Sequence, residues 1–192
     1  MLGGKIGHRL DPYVSKVAGG LGNNYLSPSL LTLLGLLISV LGAIALAYGR
    51  WKIAGGLILF AGAFDILDGA VARTSGKVSK FGELFDSVID RYSDLVLLIG
   101  LIVFYSRSGN IPLVILTCAT SLGTVLVPYT RAKAEIFIPR CDVGLMERAE
   151  RIILLVIGAI FNLMHIILWI LAILTHVTVF QRVYFTWKEV KK

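Results

Sequence analysis

Residues Asp65 to Asp90 read DILDGAVARTSGKVSKFGELFDSVID and set four aspartates, Asp65, Asp68, Asp86 and Asp90, among otherwise apolar segments. One aspartate at the centre of a membrane-spanning helix costs ~2.5–3.5 kcal/mol on insertion scales, so four cost on the order of 10 kcal/mol if the terms add. A chain carries such a penalty where the carboxylates bind something, and clustered acidic oxygens suit divalent cations. Helical spacing brings the groups together. Asp65, Asp68, Gly69 and Ala72 share one face, and Gly82, Asp86 and Asp90 recur every four residues on the next helix. Gly69, Ala72 and Gly82 are small enough to let the two helices approach and leave room for a ligand. Packed carboxylates repel one another unless cations lie between them. A pair of ions ~3.5–4 Å apart is the usual arrangement for a displacement at phosphorus. Oxygen-only ligands favour Mg²⁺ or Mn²⁺, with Ca²⁺ as a non-productive occupant.

The remainder of the chain supplies a membrane setting. Hydrophobic residues make up 56% of 192 positions, with mean hydropathy +0.80, which a soluble domain of this size has no use for. A single domain, 1–192, is expected: an all-α integral membrane protein of six transmembrane helices over 28–187. It is preceded by an amphipathic interfacial helix over 1–24, where Lys5, Arg9 and Lys16 alternate with apolar residues. The N-terminus lacks the pattern of a secretory signal. Expected spans run over Pro28–Tyr48, Ile53–Arg73, Phe81–Tyr105, Leu113–Tyr129, Leu145–Phe161 and from after His165 to Trp187. The fourth continues as the polar stretch TRAKAE, and Ser106 to Pro112 forms the loop before it. Cys118 and Cys141 have no metal or redox spacing and read as unpaired thiols. His8, His165 and His176 have no partner pattern and are given no chemistry.

Six spans place both termini on one side. That side, with the link around Lys77 and the segment from Arg131 to Arg151, carries fifteen of the nineteen Lys and Arg residues. The positive-inside rule therefore expects a multi-pass protein of the cell membrane with termini and aspartates facing the cytoplasm.

Written as spacing, the acidic stretch is D-x-x-D-G-x-x-A-R, eight residues, then G-x-x-x-D-x-x-x-D. It resembles the signature of the CDP-alcohol phosphotransferase family, with every fixed position present, and the six-span layout with a preceding surface helix is also similar. The resemblance implies that a hydroxyl attacks the lipid-side phosphorus of a CDP-linked lipid and CMP leaves. By the same resemblance Asp65, Asp68, Asp86 and Asp90 hold two divalent cations and Asp90 is also the general base. Gly69, Ala72, Arg73 and Gly82 line the CDP site, with Thr32, which stands with Pro28 in a segment where many members have Asn in place of Ser29. Arg73, taken alone, also suits a snorkelling interfacial residue, and Asp94 reads as a packing or arginine-paired group rather than a further ligand.

A second cluster comprises Arg131 and Lys133 in TRAKAE, Arg148 and Arg151 in ERAER, and Arg182 in a QR-x4-W pattern. Ordinary membrane anchoring accounts for many such residues, but their convergence beside a phosphotransfer centre suggests a phosphorylated acceptor. These segments, with DRYSD over 90–94, look similar to phosphatidylinositol-phosphate synthases, in which the matching basic residues bind inositol phosphate. Glycerol 3-phosphate is the alternative acceptor. A homodimer is implied by the family, and no nucleic-acid partner is expected. An aspartate-rich prenyltransferase would show different acidic spacing, and a divalent-cation transporter would give no reason for the basic cluster.

Overall fold

The computed structural model describes residues 28–74 and 79–191, with the side chains of 28 and 70–74 left out. The expected surface helix over 1–24, the turn at Lys77 and the side chains of Ala72 and Arg73 lie outside what is described. Among the described residues the architecture is all-helical: α1 Pro28–Ala47, α2 Trp51–Thr74, α3 Lys80–Arg107, α4 Ile111–Ala134, α5 Arg148–Ile160 and α6 Met164–Val190.

Local chemistry explains the boundaries. After α1 the chain turns at Gly49, with φ +68°, and the Arg50 N–H donates to the Ala45 carbonyl at 2.8 Å. This left-handed turn suits glycine, and a Cβ there would meet the Phe104 ring at 3.0 Å. Helix α4 begins at Ile111 rather than Leu113, because the Asn110 Oδ1 accepts from the Leu113 N–H at 3.2 Å and Pro112 fits the first turn. Helix α5 begins at Arg148, three residues later than expected. The N–H groups of Leu145 and Met146 are drawn off to the Thr178 Oγ1, at 3.3 and 3.0 Å, and Gly144 sits at φ +133°. At the other end, α6 takes in His165 and runs past Trp187 to Val190.

Helices α1, α4 and α6 include spans long and apolar enough to cross a membrane. The chain is a membrane protein. Helix α3 carries too many charged side chains for such a span, and α5, with 13 residues, is ~20 Å long against a ~30 Å hydrocarbon layer. Helix α1 packs on α2 and α3, α4 on α6, and α5 joins α2 to α6. Leu46, Ile58, Leu97, Leu101, Leu168 and Leu171 fill the centre. The outer faces expose Leu37, Phe60, Ile99, Leu122, Trp169 and Ile173, an apolar surface that suits lipid rather than water. Close crossings rest on small residues. A Cβ on Gly100 would lie 2.9 Å from the Ala43 Cα, so α1 and α3 meet backbone to backbone there. The C-terminal half of α2, the N-terminal half of α3 and the N-terminus of α5 converge on the same end of the bundle.

Candidate active site

At that end a cleft of about 660 Å³ is lined by residues of α1 to α6, including Thr32, Asp65, Asp68, Asp90, Arg148 and Arg182. The i, i+3 spacing puts Asp65 and Asp68 on the face of α2 toward α3, where Asp86 meets them. One oxygen from each of Asp65, Asp68 and Asp86 lies within 4.8 Å of the others. Oxygens ~2.1 Å from a shared Mg²⁺ stand ~3.0 Å apart when adjacent and ~4.2 Å apart when opposite, so the three carboxylates close on one ion by drawing in on the order of an ångström. The Asp86 Oδ1 is buried with no hydrogen-bond partner. An undonated buried oxygen on a carboxylate that meets two others fits a hard cation, and the donor set is oxygen alone. Thr32 extends the site from α1: its Oγ1 donates to the Asp68 Oδ2 at 2.7 Å, which fixes that carboxylate with one oxygen still to offer.

Asp90 lies on the same cleft but outside the trio. Its Oδ1 is 2.9 Å from the Arg148 Nη1, and its Oδ2 is 3.7 Å from the Arg91 Nη1. The same Arg148 Nη1 stands 2.5 Å from the Asp65 Oδ2. Arg148 is thus the counter-charge of the acidic group, projected into it from the first residue of α5. Asp94, one turn beyond Asp90, pairs with Arg151 at 2.7 Å, and both are about 95% buried. The expectation of an arginine-paired Asp94 is met.

The basic residues divide by environment. Arg131 lines the cleft mouth and meets Glu135 at 3.0 Å, Asp142 at 3.1 Å and Glu147 at 3.8 Å. Slight burial pushes the Glu135 carboxyl up, but the Arg131 hydrogen bond and charge outweigh it and hold the group below its usual range. Lys133 is exposed and is not among the cleft-lining residues. Arg182 is 2% exposed, its Nε donating to the Val143 carbonyl at 2.9 Å and its Nη1 to the Val127 carbonyl at 2.5 Å. It lines the cleft while tying α6 to α4 and to the loop before α5. Gly69 and Gly82 are half-buried, and the Gly82 N–H donates to the Ser79 Oγ that caps α3 at 3.0 Å. Cys118 and Cys141 are unpaired, as expected.

Sequence reasoning missed Thr178. Its Oγ1 accepts from the Leu145 and Met146 N–H groups and donates to the Leu174 carbonyl at 2.8 Å. It thereby sets where α5, and so Arg148, begins. A signal existed in the row Thr175, Thr178, Gln181, Arg182 along one face of an apolar helix, but nothing in the sequence says what that face meets. Thr178→Val is expected to lower stability by ~1–3 kcal/mol, since it strands two backbone donors. Thr178→Ser should retain it, and the two melting curves in detergent check this.

A carboxylate cluster fit for a divalent ion, beside arginines and inside a helical membrane protein, defines a metal-dependent enzyme of phosphorylated substrates. The chain belongs to the CDP-alcohol phosphatidyltransferase family, whose model matches residues 25–181, and it is a transferase. It is 37% identical over 182 residues to archaetidylinositol phosphate synthase of Pyrococcus horikoshii, covering 94% of each chain. It is 34% identical over 167 residues to phosphatidylinositol phosphate synthase of Mycobacteroides abscessus, covering 82% of this chain and 76% of that one. The crystal structure of Mycobacterium tuberculosis phosphatidylinositol phosphate synthase with CDP-DAG bound matches with TM-score 0.83 and 31% identity, over 91% of this chain and 93% of that one. The same enzyme in complex with manganese and citrate matches with TM-score 0.81 and 32% identity, over 91% and 88%. Family membership sets aside the prenyltransferase and transporter alternatives.

Proposed function

We propose that the protein transfers the phosphatidyl group, or its ether-lipid analogue, from a CDP-linked lipid to a hydroxyl of inositol phosphate, releasing CMP. The carrying observation is the Asp65, Asp68 and Asp86 trio at a cleft that Arg131, Arg148 and Arg182 also line. Asp65, Asp68, Asp86 and Asp90 would hold two divalent cations, Mg²⁺ or Mn²⁺, which when bound offset pyrophosphate charge and polarise the reacting phosphorus. Asp90 takes the proton from the attacking hydroxyl. Thr32 holds Asp68 in place, and Gly69, Ala72, Arg73 and Gly82 receive the CDP moiety. Arg131, Lys133, Arg148, Arg151 and Arg182 form the basic side that attracts the acceptor's phosphate, with the exposed Lys133 acting at longer range. The likeness to synthases named for inositol-phosphate products supports this acceptor over glycerol 3-phosphate. The six helices form one transmembrane domain over 1–192, after the interfacial helix 1–24, with the 13-residue α5 crossing only together with the residues that flank it and with termini and cleft on the cytoplasmic side. The asymmetry of Lys and Arg supports that orientation. The enzyme acts as a homodimer, as the family resemblance implies.

The test is CMP release by the purified protein from CDP-diacylglycerol and from its diether analogue. Release is expected with inositol phosphate and Mg²⁺ or Mn²⁺ present, and loss to background when the metal is chelated. Release with glycerol 3-phosphate in place of inositol phosphate would reassign the acceptor. No release with any phosphorylated polyol would overturn the reading.

A further inference from the structure

Arg148 and a cation compete for the same oxygens. Its Nη1 sits 2.5 Å from Asp65 and 2.9 Å from Asp90, so an ion drawing on either carboxylate must displace a guanidinium of like charge. The side chain is only 23% exposed, and swinging out to water would carry it away from the cleft. A second station lies beside it. The Arg148 Nε and the Asp94 Oδ1 face each other at 3.6 Å, too far for a hydrogen bond, and each is buried with no hydrogen-bond partner. Asp94 is held still by its other oxygen, which accepts from the Arg151 Nη2 at 2.7 Å. A shift of less than an ångström would bring Nε and Oδ1 to the ~2.8 Å of a charge-assisted hydrogen bond.

We propose that Asp94 is a positioning residue: it receives Arg148 when a cation takes the acidic cluster, and returns it when the cation leaves. This inference rests on the reading of Asp65, Asp68 and Asp86 as a cation site. With its Nε on Asp94, Arg148 releases Asp65 and Asp90 yet keeps its terminal nitrogens at the cleft, where an acceptor phosphate would meet them. The orphaned buried pair, Nε and Oδ1, is what the arrangement leaves ready for that second bond. Asp94 itself stays off the cation.

The experiment is Mn²⁺ binding to the full chain in detergent, read as free Mn²⁺ by electron paramagnetic resonance, without substrate or turnover. Arg148→Met should bind Mn²⁺ about fivefold or more tightly than wild type, because the competitor is gone. Asp94→Asn keeps an acceptor for Arg151 but takes away the charged station, and should bind about fivefold more weakly. In the Arg148→Met background the same Asp94→Asn change should alter the Kd by less than about twofold. An equal loss in both backgrounds would make Asp94 a nearby charge and nothing more, and would overturn the proposal. So would unchanged or weaker binding by Arg148→Met. Should Asp94→Asn fail to fold, Arg148→Lys carries the test. Its ammonium reaches Asp65 and Asp90 but has no Nε for Asp94, so it should bind Mn²⁺ more weakly than wild type, and equality with wild type would overturn the proposal. Failure of the wild-type chain to bind Mn²⁺ overturns the cation site itself and this inference with it.

Discussion

Asp90→Asn is expected to lower kcat by ~10²–10⁴-fold, the range that a positioned general base contributes. The substitution is nearly isosteric, and the amide still accepts a hydrogen bond from Arg148, which lies 2.9 Å from the present carboxylate. What disappears is the ability to take a proton from the attacking hydroxyl, together with one negative charge at the cleft. Asp90 stands outside the three carboxylates whose oxygens lie within 4.8 Å of one another, so one ion should still bind. Asp86→Asn makes the contrast. It belongs to the trio and has a buried, undonated Oδ1, and the loss of its charge should weaken Mn²⁺ binding as well as turnover. Single-turnover CMP release combined with Mn²⁺ titration separates the two roles. An Asp90→Asn enzyme keeping more than a tenth of wild-type kcat would remove Asp90 from the base position.

The acidic half of this site was legible because helix periodicity is a local property. Asp65, Asp68 and Asp86 meet because spacings of three and four residues place them on facing sides of consecutive helices, and the sequence states both spacings. Thr32 was legible only through family resemblance, since no periodicity in α1 links it to Asp68, 36 positions away. The basic half was legible as a cluster but not as an arrangement. Four arginines close to one membrane face look alike in sequence, yet Arg148 enters the acidic group, Arg151 is sealed against Asp94, Arg182 ties two carbonyls and Arg131 meets carboxylates at the mouth. The difference originates in the loop over 135–147. Its path follows from Gly144 at φ +133° and from two N–H groups on Thr178, contacts that join residues more than thirty positions apart. Starting α5 at Arg148 rather than Leu145 puts Arg148 at the first helical residue, beside the acidic group, and Arg151 one turn further in.

Arg151→Met should be the most destabilising of the basic-cluster substitutions, by ~3–5 kcal/mol, because it leaves the Asp94 carboxylate buried with its main partner gone. Both side chains are about 95% buried and their atoms stand 2.7 Å apart, so solvent cannot replace the lost donor. The thermal midpoint in detergent should fall by on the order of 10 °C. A loss of activity in that variant would therefore say little about acceptor binding on its own. The double change Arg151→Met with Asp94→Leu resolves the matter. It removes both charges and fills the space with apolar atoms, which for buried ion pairs is often neutral or stabilising. Recovery of the melting temperature without recovery of the KM for inositol phosphate would show the pair acting on the acceptor as well as on the fold, through Arg151 itself or through the station that Asp94 offers Arg148. Recovery of both would confine it to holding α5 against α3. An Arg151→Met protein that melts with wild type would contradict the buried-pair argument and would mean that Arg148, 3.6 Å from the Asp94 Oδ1, suffices as the partner of that carboxylate.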